Sequence, residues 1–405
     1  MHTRRHRHEG ITRINSKVAR DINRSIILST VRRRQPIPRS ELAAITRLNK
    51  STVSTIVARL IDEELLIESP DHGGGVGRKR VNLSLRQGKH FVGAISFDAP
   101  CTRVAVVDIN GTLKARDEIW TKVSSPETLV AQCVARLNAL RSTIGPHKFY
   151  GIGASVGGIV DSGQGQVLYS ANLDWNRVDL ATLIREQAPD VEAISVENDA
   201  KAATMAEVLW GTHRFTATNF VFLLIGVGIG AGIAINGRIL AGDTHGAGEV
   251  GHMTVVEGGE QCACGNAGCW HLYASEQSVV KWFADAKKLI PGSPVPTSLA
   301  DVADAARIGD ADALKALRLW AQHIGVGIGD MICILDPEVV IVGGPITQLW
   351  DLVSEDITQA AQSRRALSRQ RPTTILPTSL LDNPPLLGAA ALSIRGIFAD
   401  ITISM

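Results

Sequence analysis

The N-terminal part of the chain carries hydrophobic residues at helical spacing. Between residues 21 and 33 they stand at Ile22, Ile26, Ile27 and Val31, which predicts a helix with one buried face. Pro36 and Pro38 break the pattern. Ser40 is placed to N-cap a second helix running to about Ile45, with Leu42 held inward. Leu48-Asn49 reads as a tight turn. A third helix is predicted over 50–63, with Val53, Ile56, Val57, Leu60 and Ile61 at i, i+3, i+4, i+7 and i+8. Its opposite face is Ser51, Thr52, Ser54, Thr55 and Arg59. Residues 65–68 and 80–85 then alternate as two strands around a glycine-rich segment, 71–79, with a basic tip.

From Phe91 the pattern shifts to apolar runs of strand length. Residues 91–97 and 102–108 read as strands. Asn110-Gly111 is a type I′ hairpin signal leading to a third strand near Leu113. The same order returns at 220–225, followed by a glycine turn over 226–232, a strand at 233–235, Asn236-Gly237 and a strand at 238–241. We read this as an internal duplication of an α/β unit led by three strands. Helices fit 126–142, 179–187, 200–209, 276–289, 298–308, 310–335 and 349–363. The apolar stretch 220–235 is shorter than the ~20 residues a bilayer requires and holds four glycines. The first residues have no apolar core, so no secretory signal is read there, and a cytoplasmic location without membrane attachment is expected.

Charge changes the picture. The 405 residues carry a net charge of +2, but residues 1–90 hold 19 Lys+Arg against 8 Asp+Glu, and the remainder holds 23 against 32. A basic head on an acidic body suits a polyanionic partner. By itself the third helix would pass for the solvated face of a small bundle. With the charge and the basic hairpin it reads as a winged helix-turn-helix set for a major groove. Ser51, Thr52 and Thr55 are candidates for base edges. Lys50, Arg59, Arg78 and Lys79 are better suited to phosphates or the minor groove.

Six cysteines are present, and Cys262, Cys264 and Cys269 fall within eight positions. In a reducing compartment that spacing points to Zn²⁺ before disulfides. Three thiolates need a fourth ligand, and His252 and His271 are the nearest histidines. Four protein ligands leave no open position, so the zinc would be structural.

The body resembles the ROK family of repressors, uncharacterised reading frames and sugar kinases. The resemblance rests on 151–161 (GIGASVGGIVD), 172–175 (NLDW), 197–200 (ENDA), 226–232 (GVGIGAG), 246–252 (GAGEVGH), 262–269 (CACGNAGC) and 335–344 (LDPEVVIVGG), in the family's order. It spans roughly 88–396, and the family's repressors also carry a winged helix. The resemblance implies an α/β, actin/hexokinase-like (ribonuclease H-like) body of two duplicated lobes over 88–405, preceded by a DNA-binding domain over 1–87. It favours His252 as the fourth ligand in a zinc loop over 252–271. It also implies a sugar pocket lined by Asn172, Asn198, Asp199, Glu249 and His252. Asp199 matches the kinases' general base. Alone, Asn198-Asp199 would serve as a helix N-cap, and both roles are compatible.

Several positions depart from the family pattern. His271 stands where a sugar-contacting Glu is usual, and Lys201 where Asn is common. The first phosphate loop, usually Asp-x-Gly-Gly-Thr, reads Asp98-Ala99-Pro100-Cys101-Thr102, and the second has Val227 in place of Thr. Loss of glycine backbone and of a hydroxyl donor argues against phosphoryl transfer. The expectation is a non-enzymatic regulator, a repressor of carbohydrate-utilisation genes, with Asp199 as a vestigial base. Its expected partners are a palindromic DNA operator, a sugar effector and further copies of itself as a homodimer or homotetramer. An active sugar kinase with a DNA-binding head is the alternative, and a regulator tuned by a protein partner is a third reading.

Overall fold

The computed structural model describes residues 16–70, 81–121, 125–145, 147–212, 218–288, 295–364, 372–380 and 383–398. The chain forms two compact units. One runs to His90 and includes the residues from Arg395 onward, and the other is Phe91–Ile394.

The N-terminal unit contains α1 (Ser16–Arg34), β1 (Ile37–Pro38), α2 (Arg39–Thr46), α3 (Lys50–Asp62), β2 (Leu66–Pro70) and β3 (Val81–Leu85). The strands form an antiparallel sheet in the order β1-β3-β2. Three helices and this three-stranded sheet make up the described part of the unit. Ile27, Leu28, Val31, Leu42, Val53, Val57, Leu60 and Leu83 make its core. The buried face of α1 is rotated from the expected one, since Leu28 is buried while Ile22 and Ile26 are only half-buried. Two expectations fail locally. Pro38, not Ser40, is the residue before α2, and no side chain caps that helix. Pro38 also pairs with Asn82 in a short strand instead of merely breaking the chain. The expected basic tip at 71–79, with Arg78 and Lys79, lies outside the described residues.

The larger unit has two five-stranded sheets and one smaller sheet. The first lobe is built from β4 (His90–Phe97), β5 (Cys101–Asp108), β6 (Leu113–Trp120), α4 (Pro126–Ser142), β7 (Lys148–Val156), β8 (Ile159–Asp161), β9 (Gln166–Ser170), β10 (Trp175–Val178), α5 (Leu180–Gln187) and β11 (Ala193–Asn198). Its main sheet runs β11-β7-β4-β5-β6, and β8 to β10 form a small sheet beside it. α6 (Asp199–Trp210) leads out of β11. The second lobe contains β12 (Phe220–Ile225), β13 (Ile229–Ile235), β14 (Arg238–Ile239), α7 (His271–Ala274), α8 (Glu276–Lys288), α9 (Leu299–Arg307), α10 (Ala311–Leu335), β15 (Val339–Gly343), α11 (Trp350–Ser363) and β16 (Thr374–Pro377). Its sheet runs β14-β13-β12-β15-β16. α12 (Pro384–Phe398) closes the described chain. Among the described residues no helix is long and apolar enough to cross a membrane.

The two sheets repeat one plan. In each, three antiparallel strands in chain order are followed, on the side of the first, by two strands parallel to each other. Two turns differ from expectation. Only Gly111 has positive φ in the first hairpin, and its N–H bonds Asp108 O, so Ile109-Asn110 form an ordinary turn closed by a left-handed glycine, not type I′. The second glycine turn is only 226–228, because β13 begins at Ile229 and absorbs Gly230 and Gly232. A Cβ at Gly232 would collide with Thr204 on α6, so glycine permits that strand and helix to touch. The backbone of α12 is jammed in the same way. A Cβ at Gly388 would meet the Ala202 backbone of α6, and one at Gly153 of β7 would meet Ala389 O.

Candidate functional sites

α3 is held by its cap. The Asn49 side chain accepts from Thr52 N at 2.7 Å and from the Ser51 hydroxyl at 2.8 Å. Lys50, Ser51, Thr55 and Arg59 are exposed on one side of the helix, while Thr52 is half-buried. The Thr55 hydroxyl donates to Ser51 O at 3.0 Å, leaving its oxygen lone pairs to solvent.

In the larger unit, Cys262, Cys264, Cys269 and His252 gather their ligand atoms within 4.8 Å of one another. Cys264 Sγ and Cys269 Sγ are 3.6 Å apart, and Cys262 Sγ lies 3.7 Å from His252 Nδ1. Tetrahedral ligands at about 2.3 Å from a metal stand about 3.8 Å apart, so this group could hold a metal ion. Short backbone bonds shape the knuckle, including Cys262 N to Asn266 O at 2.8 Å and Gly265 N to Cys262 O at 3.0 Å. Gly265 and Gly268 both adopt positive φ, at 93° and 72°. Burial and the neighbouring thiols push Cys269 up to about 12, while hydrogen bonds, the Asn266 N–H first, pull the Cys264 thiol down. His271 is outside the four but close, with Nε2 3.2 Å from Cys262 Sγ and its ring 5.2 Å from that of His252.

The adjoining cleft is acidic. Asp98 follows β4 and accepts from Ala99 N at 2.8 Å and from the Asn172 side chain. A Cβ on Gly157, just after β7, would stand 3.3 Å from Asp199 Oδ2 and 3.8 Å from Asn172 Nδ2, so glycine keeps that space open. Asp199 opens α6, its Oδ1 accepting from Ala200 N at 2.8 Å. Burial raises its pKa to about 6, and the charges of Asp98 and Glu249 add to the effect. Burial also raises Asp98, Glu249 and Glu197. Asn198 is buried with its amide already engaged. Its oxygen caps α6 by accepting from Lys201 N at 3.1 Å, and its nitrogen donates to Gly158 O at 2.9 Å. Asn172 thus stands between Asp98 and the space that Gly157 leaves open beside Asp199, and the charges of Glu249 and, through it, His252 act on this group.

One residue of this cleft was not singled out as a site residue from the sequence. Asp98 was read only as part of a damaged phosphate loop, although an acid directly after an eight-residue buried strand was a usable signal.

A protein-family model for the ROK family matches residues 93–395. The chain belongs to the ROK family. Among its relatives, the xylose repressor of Bacillus spizizenii is 29% identical over 382 residues, covering 94% of this chain and 96% of that protein. A solved ROK family transcriptional regulator, described as a homolog of the E. coli MLC protein, has a TM-score of 0.78 at 23% identity and covers 94% of this chain and 97% of that one. The ROK family glucokinase of Streptomyces griseus, solved with glucose and AMPPNP, has a TM-score of 0.66 at 26% identity, covering 75% of this chain and 98% of its own. The ROK fold of two hexokinase-like lobes behind a head therefore describes this chain. The kinase likeness leaves about a quarter of it uncovered, while the likeness to regulators spans nearly all.

Proposed function

We propose that this ROK protein is a sequence-specific DNA-binding regulator, a repressor of carbohydrate-utilisation genes, released or engaged by a sugar held in a kinase-like cleft that does not phosphorylate it. The observation that carries this is the match to a repressor over 94% of the chain, head included. The capped, polar face of α3 supports DNA contact by Lys50, Ser51, Thr52, Thr55 and Arg59, with Arg78 and Lys79 assigned to the wing from the sequence. Asn172, Asn198, Asp199, Glu249, His252 and His271 are assigned to the sugar pocket and its wall. Carboxylates accept hydrogen bonds from vicinal hydroxyls, which is the chemistry a neutral sugar needs.

Zinc is the metal we assign to His252, Cys262, Cys264 and Cys269, because three sulfurs and one imidazole nitrogen suit it. Bound there, it would fix the knuckle and orient the His252 ring beside Glu249. We place the protein in the cytoplasm as a homodimer or homotetramer on a two-fold operator.

The second reading is an active sugar kinase, favoured by Asp199 at the position of a base with a pKa near 6. Fluorescence anisotropy on DNA upstream of its own gene, at fixed salt with and without a sugar panel, tests the first reading. Tight binding altered by one sugar supports it. Absence of specific DNA binding together with ATP-dependent sugar phosphorylation replaces it with the kinase.

A further inference from the structure

We propose that His271 is a positioning residue of the metal knuckle, its Nε2–H donating a hydrogen bond to the Cys262 thiolate and tightening the hold on zinc. This rests on the zinc assignment to His252, Cys262, Cys264 and Cys269.

Two imidazoles face the Cys262 sulfur, at different spacings. His252 Nδ1 lies 3.7 Å away, close to the separation of two ligands on one tetrahedral ion. His271 Nε2 lies at 3.2 Å, within hydrogen-bond reach of sulfur, and it stays outside the group whose ligand atoms gather within 4.8 Å. The two rings stand 5.2 Å apart and edge-on at 67°, so both fit around the sulfur at once.

The chemistry of the sulfur places the proton. A cysteine that binds a metal has lost its own proton and can only accept. A nitrogen lone pair 3.2 Å from that sulfur would be repelled, so Nε2 carries hydrogen. This donor role holds whether or not Nδ1 is also protonated. Three thiolates on one divalent ion leave a negative charge in excess, and N–H donors spread it. The backbone N–H of Cys264 reaches the same sulfur at 3.5 Å, and the Asn266 N–H bonds to Cys264. His271 adds a side-chain donor to these.

The fold holds His271 in place. It opens α7 directly after Cys269 and Trp270. The Trp270 indole is fully buried, donates to His323 O at 2.8 Å and fills the space that Gly327 of α10 leaves. On the other side, the His271 carbonyl accepts from Ser275 N at 3.1 Å and from the Ser278 hydroxyl at 3.4 Å. His271 is half-buried, whereas His252 is exposed. A donor already anchored gives up little conformational freedom when the metal binds.

The test uses the full-length protein loaded with Zn²⁺, and again with Co²⁺, as wild type, His271→Phe and His271→Gln. Phenylalanine keeps a ring and loses the donor, whereas glutamine loses the ring and keeps an N–H at similar reach. Zinc affinity is read by competition with a chromophoric chelator at fixed pH. Electron donation by sulfur is read from the sulfur-to-cobalt charge-transfer band. His271→Phe should weaken zinc binding by about tenfold or more and move the band to lower energy, because the sulfur has lost a donor. His271→Gln should recover part of both. Nitrogen-15 NMR of the wild-type zinc protein should show the proton on His271 Nε2, and this readout needs no variant to fold. An unprotonated Nε2 overturns the proposal. Zinc affinity and band left unmoved in His271→Phe, or equal losses in the two variants, overturn it too and leave the zinc assignment intact. A wild type that binds no zinc overturns the assignment and the proposal together.

Discussion

The ammonium of Lys201 lies 2.8 Å from the carbonyl oxygen of His245. It also reaches Ala241 O at 3.4 Å, so one side chain holds two points of the loop that leads to Glu249. Lys201 is two residues past Asp199 on α6 and is 3% exposed. Burial lowers its pKa, and the charges of Glu197 and Glu249 pull it back up. The lysine therefore links the helix that carries Asp199 to the loop that carries Glu249. It is a positioning residue rather than an anion receptor.

Lys201→Met should free that loop. We expect sugar affinity to fall by at least about tenfold, with operator affinity unchanged in the absence of sugar. Hydrogen exchange should rise over 241–249 and not in β12. Unchanged exchange there would show that the tether does not hold the loop.

Asp199 sets a pH dependence whose sign can be worked out. Its folded pKa of about 6 lies above the ordinary value of 3.8. Below the ordinary value both states are protonated and burial costs no ionisation. As pH climbs through about 6 the buried carboxyl must ionise in the folded protein, and stability falls. Asp199→Asn should therefore be more stable than the wild type at pH 7.5, on the order of 1–3 kcal/mol, with the gap closing toward pH 4. Thermal melts at both pH values check this, and sugar binding should be lost in the same variant.

Cys264→Ser removes one ligand of the metal group at an exposed position. Zinc content, measured by elemental analysis, should drop from one per chain to a small fraction, and the melting temperature should fall by several degrees. A chelator should do the same to the wild type, more readily at lower pH, because protons compete for Cys262, Cys264, Cys269 and His252. A variant that retains a full equivalent of metal would remove Cys264 from the site.

On α3, Arg59→Ala and Thr55→Ala should separate by mechanism. Arg59→Ala should weaken binding to all DNA sequences and reduce the salt slope by about one ion. Thr55→Ala should cost about 1–3 kcal/mol on the operator and little on random DNA. Equal losses on both DNAs for Thr55→Ala would move that residue off the bases.

Much of this fold was written in local pattern. α3, α4 and α10 have strong caps or long apolar faces, and their observed bounds fall within a residue of expectation. Residues 151–161 were recognised as a motif but no strand was assigned there, because glycines dilute the apolar run of β7. The early start of α2 was hidden because Pro38 takes its place in a sheet formed with residues more than forty positions away. α12 was missed since its PP-LL-G-AAA sequence has little polar face to give it a period. The three cysteines of the His/Cys group were legible because they sit close in sequence, whereas the choice of His252 over His271 came from the family resemblance.

The contact of Gly388 with Ala202 leaves α12 and α6 separated by backbone alone. Side chains that interlock at a distance can ratchet from one notch to the next, but bare backbones have no notches to trade. A methyl group grown at Gly388 would have to wedge the two helices apart, so the gap between them at this crossing is set by a missing side chain.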